Sequence, residues 1–164
     1  MNQQREHLIE SIQASGFKSC LVTSGGGSGA IHALLSHAGA SRFILEVQMP
    51  YSRRALFDYL GEELEHACSE EAAATMAARA FERAVMLTLT DEGRPAVLGI
   101  ACTAALQTIR ERRGEDRAYI GIKSQHREWI RRVELKPDSR TGQEEQLSSV
   151  LLDVIAECIE AATE

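Results

Sequence analysis

The stretch LVTSGGGSGAIHALL, Leu21 to Leu35, decides how the chain folds. An apolar run ends in three adjacent glycines, Gly25, Gly26 and Gly27, and a helix-like spacing of apolar residues follows at once. Adjacent glycines cost backbone entropy, so a folded protein places them where the backbone bends sharply or approaches another group closely. A strand, a glycine turn and a helix N-terminus form a cradle for an anion, because free N–H groups and the helix dipole point at one place. The stretch fits a tight strand-to-helix turn without a ligand equally well.

The composition is that of a globular domain. The chain has 164 residues, of which 44% are hydrophobic and 26% charged, enough to bury a sizeable core. Its 18 basic and 24 acidic residues give a formal charge of −6, which argues against nucleic acid or an anionic membrane as the partner. The densest basic run, Thr108–Arg117, is interleaved with acids and is typical of a solvated loop. No linker or repeat divides the chain, so we expect a single domain over residues 1–164.

The lack of a recognisable targeting segment and the spacing of the cysteines predict a cytoplasmic protein. No segment has the uninterrupted apolar length of a membrane span, and the N-terminal segment lacks the apolar core of a signal peptide. The four cysteines lie far apart without a C-x-x-C pair, which disfavours both a metal site and a disulfide framework. We therefore expect a cytoplasmic location, no membrane contact, no metal and no cofactor.

Apolar periodicity divides the chain into alternating helices and strands. Helices are predicted at residues 3–15, 28–36, 52–60 and 68–87, with a last one after Pro137 in which Thr141 and Glu144 have capping-box spacing. Strands are predicted at 17–23, 42–49, 95–102, 117–123 and 127–135. Alternation of the two predicts parallel pairing through crossovers, and the last two strands are close enough to pair antiparallel. The predicted fold is a single three-layer α/β domain, with a mostly parallel or mixed sheet flanked by helices.

Candidate chemistry gathers where two strands end. Ligands of such sheets lie beyond the carboxyl ends of the strands, where Ser24 and Cys102 are expected. Ser24 is either a nucleophile polarised by the helix dipole or a turn residue bonded to its own backbone. Cys102 is either a stabilised thiolate or a small core residue. His32 and His66 are the histidines best placed near this crevice, in a catalytic or a merely solvated role.

The glycine turn also allows a dinucleotide-binding interpretation. Gly25, Gly27 and Ala30 fit the loose G-x-G-x-x-A pattern, and Glu46 lies at about the distance of a ribose-binding acid. A Walker phosphate loop is excluded, because no Lys-Ser or Lys-Thr pair follows the glycines.

Six segments in order carry a resemblance to a known family. In this chain the segments are TSGGGS (23–28), AGAS (38–41), YSRRAL (51–56), EHACSEE (65–71), GIACTAA (99–105) and AYIGI (118–122). They look, in the same order, like that family's segments E-S-C-T-G-G, P/A-G-S-S, Y-S-N-E-A-K, E-H-G-A-V-S-E-E, G-I-A-G-P-G-G and V-Y-I-A. The chain thus resembles, over roughly residues 5–162, the C-terminal domain of the competence-damage-inducible CinA proteins, the nicotinamide mononucleotide deamidases.

This resemblance implies a serine–lysine hydrolase that releases ammonia from the carboxamide of the nicotinamide ring. It places the nucleophile on Ser24, the active-site tyrosine on Tyr51 and the basic lysine on Leu56. Leucine takes no proton, and the guanidinium groups of Arg53 and Arg54 stay protonated at any working pH. A divergent amidohydrolase would therefore need another base.

Two functions are predicted on this basis. The first is a nicotinamide-nucleotide amidohydrolase-like protein with Ser24 as nucleophile and His32, His66 or Tyr51 as the replacement base. The alternative is a non-catalytic module that binds a nucleotide or another phosphorylated metabolite, with Arg53 and Arg54 on the phosphate. The resemblance also implies a homo-oligomer, in which the apolar helix 147–159 is either core or interface. The predicted ligand-binding residues are Thr23, Gly25, Gly26, Gly27, Ser52, Arg53, Arg54, Ala101, Cys102 and Thr103.

Overall fold

Short apolar runs and well-capped amphipathic segments form the secondary structure. A computed structural model describes residues 2–109 and 115–163. Its strands are β1 (Lys18–Ser24), β2 (Ile44–Gln48), β3 (Val97–Ala105), β4 (Arg117–Lys123) and β5 (Glu128–Glu134). Its α-helices are α1 (Gln3–Gln13), α2 (Ser28–Ser36), α3 (Arg53–Leu60), α4 (Glu70–Leu87) and α5 (Arg140–Thr163). The basic run predicted as a loop at Thr108–Arg117 lies outside the described residues over 110–114.

Three helices begin at a polar residue whose side chain caps the first turn. The Asn2 side chain accepts from the first turn of α1, Ser52 accepts from Ala55 N–H, and Ser69 accepts from Ala72 N–H. The predicted capping box of α5 is wrong. Ser139 begins that helix instead, since its hydroxyl accepts from Gly142 N–H at 3.1 Å, and Glu144 is used elsewhere.

The five strands form one mixed sheet in the order β2-β1-β3-β4-β5. Strands β2, β1 and β3 are parallel, whereas β4 is antiparallel to both β3 and β5. The predicted mixed sheet and the antiparallel closing pair are therefore confirmed. Ser24 stands in register with Thr103, so β1 and β3 end side by side.

Alternation of side chains along the strands divides the core between two faces. Leu21, Ile100 and Cys102 pack with the buried residues of α1, α2 and α5. Val22 and Ala101 pack on the opposite face with the buried residues of α3 and α4. The predicted three-layer α/β architecture is thus confirmed, and the apolar side of α5 belongs to the core.

Two glycines allow α4 to approach the sheet closely. A Cβ atom on Gly99 would lie 2.2 Å from the Ala77 carbonyl oxygen, and one on Gly121 would lie 2.5 Å from that of Ala73. The small residues of α4 face the sheet here, so helix backbone meets strand backbone nearly without intervening side chains.

Within the described residues, none of the helices combines the length and the apolar character needed to cross a membrane.

Candidate functional site

The candidate site lies at the carboxyl ends of β1 and β3. From β1 the chain crosses to β2 on one side, and from β2 it crosses back to β3 on the other side of β1. This reversal of direction leaves a crevice between the ends of the two strands, which is where open α/β sheets bind ligands.

Two cavities open at this edge, one for each face of the sheet. The Ser24 cleft, about 330 Å³, is lined among others by Ser24, Leu56 and Thr103. The Thr23 cleft, about 310 Å³, is lined among others by Thr23 and Glu144. Neighbouring residues of β1 enter different clefts because successive side chains of a strand point to opposite faces. Three residues line both clefts: Gly25, Tyr51 and Arg140.

Arg140 joins the loops around the two clefts. Its guanidinium donates hydrogen bonds to the Gly25 carbonyl oxygen at 3.1 Å, to the Tyr51 hydroxyl at 3.1 Å and to the Gln107 carbonyl oxygen at 3.0 Å. Sequence reasoning missed this residue. The signal available for it was a cation in the first turn of a helix, where the dipole disfavours positive charge and a separate role is therefore indicated.

The Ser24 hydroxyl opens into its cleft. Ser24 is only 7% exposed, and its hydroxyl forms no hydrogen bond with the described residues. No fully buried polar side-chain atom in the described part of the chain lacks a partner, so the Ser24 oxygen has accessible surface. Leu56, at the position where the resemblance implies a lysine, lines the same cleft and is 1% exposed.

The candidate bases are distributed unevenly around the site. His32 lies exposed on α2 against the Ser36 hydroxyl at 3.3 Å, and His66 lies 3.7 Å from the Glu65 carboxylate. Neither histidine lines the Ser24 cleft or the Thr23 cleft. Of the three candidate bases, Tyr51 alone lines the cleft that holds Ser24.

The anion cradle at the start of α2 is filled by the protein itself. The Glu144 carboxylate accepts hydrogen bonds from Gly27 N–H at 2.8 Å and from Gly29 N–H at 3.3 Å. The Ser148 hydroxyl donates to the same carboxylate at 2.7 Å. A negative side chain therefore already occupies the positive end of the helix dipole. The glycine turn binds an anion, as the anion-cradle interpretation predicts. That anion is a side chain of α5 and not a separate ligand, which agrees with the interpretation of a turn without a ligand.

The structure brings together, around the predicted nucleophile Ser24, five of the ten residues predicted to bind ligand. Ser24 shares its cleft with Arg53 and Thr103, and the other cleft contains Thr23 and Gly26, while both contain Gly25. Arg53 is held in place, because its guanidinium donates to the Leu64 and Glu65 carbonyl oxygens, each at 3.1 Å.

Five further residues of the predicted set line neither cleft. Ala101 and Cys102 are fully buried on opposite faces of the sheet, and burial raises the pKa of the Cys102 thiol, so it stays protonated. Gly27 is bound to Glu144, and Ser52 caps α3. Arg54 lines a separate surface cavity beside Asp58 and residues 61–64.

Cys68 is a cleft residue that sequence reasoning did not select. It precedes the Ser69 cap of α4, lines the Ser24 cleft and directs its sulfur toward the Thr103 carbonyl oxygen at 3.6 Å. None of the four cysteines, which all lie in the described part of the chain, forms a disulfide, and Cys68 is the one among them that is not buried.

The dinucleotide interpretation is wrong for Glu46. Its carboxylate accepts two hydrogen bonds from the Arg83 guanidinium of α4, at 2.8 and 3.0 Å, and it lines neither the Ser24 cleft nor the Thr23 cleft. The Arg83 hydrogen bond lowers the pKa of Glu46. In the described residues, no group of three or more His, Cys, Asp or Glu side chains is arranged to hold a metal ion.

Comparison with solved structures identifies the fold. The chain matches a competence or damage-inducible protein from Enterobacter asburiae with a TM-score of 0.75 and 16% identity, over 98% of this chain and 99% of that one. It matches a CinA superfamily protein from Escherichia coli with a TM-score of 0.72 and 16% identity, over 95% and 92% of the two chains. A competence/damage inducible protein from Agrobacterium tumefaciens matches with a TM-score of 0.72 and 18% identity, over 99% and 96%.

The sequence itself gives no such match. No family model matches the chain, and no curated protein does. The resemblance to the CinA proteins is therefore confirmed for the fold: this chain folds as the CinA superfamily proteins do.

Proposed function

We propose that the protein binds a small metabolite with an anionic group, such as a nicotinamide nucleotide, in the Ser24 cleft and does not hydrolyse it. The observation that carries this proposal is the charge of the cleft. Its ionic lining residues are Arg53 and Arg140, and no carboxylate belongs to its described lining. Guanidinium groups bind phosphates and carboxylates through paired N–H donors, so the cleft favours an anionic ligand.

The remaining lining residues suit the body of such a ligand. Leu56 and Leu106 provide apolar surface, and the Ser24 hydroxyl is available to donate to an amide or ribose oxygen. The Thr103 hydroxyl is engaged with the Ala67 carbonyl oxygen at 2.7 Å and supports the wall. Because Glu144 occupies the start of α2, the anionic group of the ligand belongs on the Arg140 side of the cleft.

Hydrolysis is disfavoured because the described lining of the Ser24 cleft contains no lysine, histidine or carboxylate that could act as the base. A serine hydroxyl needs a neighbouring group that takes its proton during attack, and Leu56 replaces the lysine that the resemblance implies. Loss of a general base typically costs a factor of about 10² to 10⁴ in rate.

The test measures binding and chemistry on the same samples. Nicotinamide mononucleotide is titrated into the protein by calorimetry, and ammonia release is followed separately. We expect binding without ammonia, and an affinity at least tenfold weaker in Arg140→Gln, which corresponds to about 1.4 kcal/mol. The control Arg42→Gln removes an equal charge from an exposed arginine outside both clefts and leaves the affinity unchanged. Absence of binding, or equal binding by Arg140→Gln, would contradict the proposal.

A second candidate function is amide hydrolysis, supported by the presence of Ser24 and Tyr51 in one cleft. In that reaction the Ser24 oxygen attacks the carboxamide carbon and its proton passes to a base in the cleft. The amide nitrogen takes up one proton and leaves as ammonia. Water then hydrolyses the acyl ester to the carboxylate and free serine. Ammonia release by the parent that disappears in Ser24→Ala and falls in Tyr51→Phe would establish this function in place of binding alone.

We further propose that the protein forms a homo-oligomer, as the resemblance implies. Supporting this, Met86, Leu87 and Leu89 expose apolar side chains at the end of α4, with exposed fractions of 64%, 39% and 53%. Light scattering at micromolar concentration is expected to give a multiple of the 18.0 kDa chain mass. A monomeric mass, or an oligomer unaffected by Met86→Lys with Leu89→Lys, would count against this surface.

A further inference from the structure

A second cavity lies at the opposite edge of the sheet from the Ser24 cleft. It has a volume of about 630 Å³, within the usual range of small-molecule sites. Its walls come from the starts of β1 and β3, the turn between β4 and β5, and the ends of α4 and α5. We call it the amino-edge groove and define it by Phe81, Val85, Arg94, His126 and Arg127.

The groove is positively charged in an acidic chain. Its titratable described lining residues are Arg94, His126 and Arg127, and none of them is acidic, although the chain as a whole has a formal charge of −6. The Arg94 guanidinium forms no hydrogen bond or ion pair with the described residues. Two arginines without a facing carboxylate are the usual arrangement for an anionic group.

Arg127 is fixed in position on this wall. Its guanidinium donates to the Ala161 carbonyl oxygen at 3.1 Å and stacks on the Trp129 ring, 5.0 Å from the centroid. Its backbone N–H donates to the Ser124 hydroxyl at 3.2 Å, which closes the turn between β4 and β5. The cation is thus placed beforehand, and a ligand loses less entropy in binding to it.

The floor of the groove is apolar and partly aromatic. Phe17, Phe81, Val85 and Val97 line it, and Phe81 is half-buried rather than enclosed in the core. The Lys123 ammonium lies 5.1 Å from the centroid of the Phe81 ring, within the range of a cation–π contact. This surface accepts a flat apolar group.

Binding rather than catalysis is indicated by the hydroxyl groups of the groove. The Thr88 hydroxyl donates to the Ala84 carbonyl oxygen at 2.8 Å, and the Ser124 hydroxyl donates to the Arg127 carbonyl oxygen at 3.4 Å. Neither hydroxyl is directed to a base, so the described residues of these walls include no activated hydroxyl nucleophile.

We propose that the amino-edge groove binds a small amphipathic anion, with an aromatic or apolar body on Phe81 and Val85 and a carboxylate, sulfonate or phosphate group at Arg94 and Arg127. A cation finds no carboxylate among the described residues of this lining, and a purely apolar ligand would leave the Arg94 guanidinium without a hydrogen-bond partner there. The site is separate from the Ser24 cleft and does not depend on the function proposed for it.

The test uses anilinonaphthalene sulfonate, an aromatic sulfonate whose fluorescence rises in an apolar site. We expect one saturable site per chain in the folded parent protein. Arg94→Gln, which changes an exposed side chain, weakens binding at least tenfold, or about 1.4 kcal/mol. Ala96→Trp fills the groove and has the same effect, whereas Arg42→Gln leaves binding unchanged.

Three results would overturn the proposal. One is the absence of saturable binding, and another is an affinity that Arg94→Gln leaves unchanged. The third is an affinity weakened by Arg140→Gln and not by Arg94→Gln, which would place the probe in the Ser24 cleft.

Discussion

The Glu144 carboxylate accepts a hydrogen bond from Gly27 N–H at 2.8 Å and thereby fills the anion cradle of the glycine turn. The two residues are 117 positions apart in the chain and meet where α5 packs beside the start of α2. An internal carboxylate at this helix end repels a second anion, which is why we place the charged group of the proposed ligand at Arg140.

Replacing Glu144 by alanine is expected to reduce stability and to open the cradle. The variant leaves the N–H groups of Gly27 and Gly29 without their acceptor, at a cost of about 1–3 kcal/mol in the free energy of unfolding. Inorganic phosphate then shifts the NMR resonances of these two amides in Glu144→Ala but not in the parent.

The matched control for this change is Glu145→Ala, the next residue of α5. Glu145 is 68% exposed and forms an ion pair with Arg5, so its loss costs less than about 1 kcal/mol and creates no phosphate site. Equal losses in the two variants, or no phosphate response in Glu144→Ala, would contradict the role assigned to Glu144.

Leu56→Ala is expected to destabilise the fold by about 2–5 kcal/mol, because Leu56 is 1% exposed and belongs to the core on the α3–α4 face. Leu35→Ala makes the same chemical change at a position that is 51% exposed and is expected to cost less than about 0.5 kcal/mol. Urea unfolding measures both. Similar midpoints for the two variants would show that Leu56 is not a packed core residue.

The Glu46–Arg83 pair predicts a specific dependence of stability on pH. Since the Arg83 hydrogen bond lowers the pKa of Glu46 in the folded state, the pair stabilises the fold above the carboxyl group's unfolded pKa. That contribution is lost as the pH falls through the lower folded-state pKa. Glu46→Gln is therefore expected to melt below the parent at pH 7, and the difference should vanish in strong acid.

Two controls accompany the pH experiment. Glu92→Gln removes an exposed carboxylate that has no ion pair within the described chain, and it should leave the melting temperature unchanged. High salt should reduce the effect of Glu46→Gln at pH 7, since both partners are partly exposed. A Glu46→Gln effect that persists unchanged at low pH would show a packing origin.

Thiol labelling is expected to select Cys68. Burial raises the pKa of Cys20 and of Cys158 to about 11 and also raises the pKa of Cys102, so these thiols remain protonated as well as inaccessible. Iodoacetamide at pH 8 should therefore modify one site rapidly in the folded protein, as measured by mass spectrometry of its peptides.

The identity of the labelled site is checked with Cys68→Ser, which should abolish the rapid reaction. Because Cys68 lines the Ser24 cleft, saturating nicotinamide mononucleotide should slow its modification. Comparable labelling of Cys102 would contradict the burial described for that residue.

Local signals in the sequence account well for the secondary structure. The start of α4 is located by Ser69 followed by Glu70 and Glu71, and the two ends of α3 are located by Ser52 and Gly61. These signals are local because a capping side chain and a glycine at positive φ act within one helical turn. Short apolar runs likewise located all five strands, and their alternation with helices predicted the layers.

The sequence by itself therefore determined the helices, the strands, the α/β class and the position of Ser24 at a strand end. Only the tertiary structure decided that Glu144 fills the glycine turn, that Arg140 joins Gly25 to Tyr51 and that Cys102 is buried while Cys68 lines the cleft. Caps and turns are set by neighbours within a few residues, whereas these contacts link residues more than 80 positions apart or depend on which face of a strand a helix covers. Packing of α5 on α2 and of α4 on the sheet chooses those partners, and no local pattern encodes them.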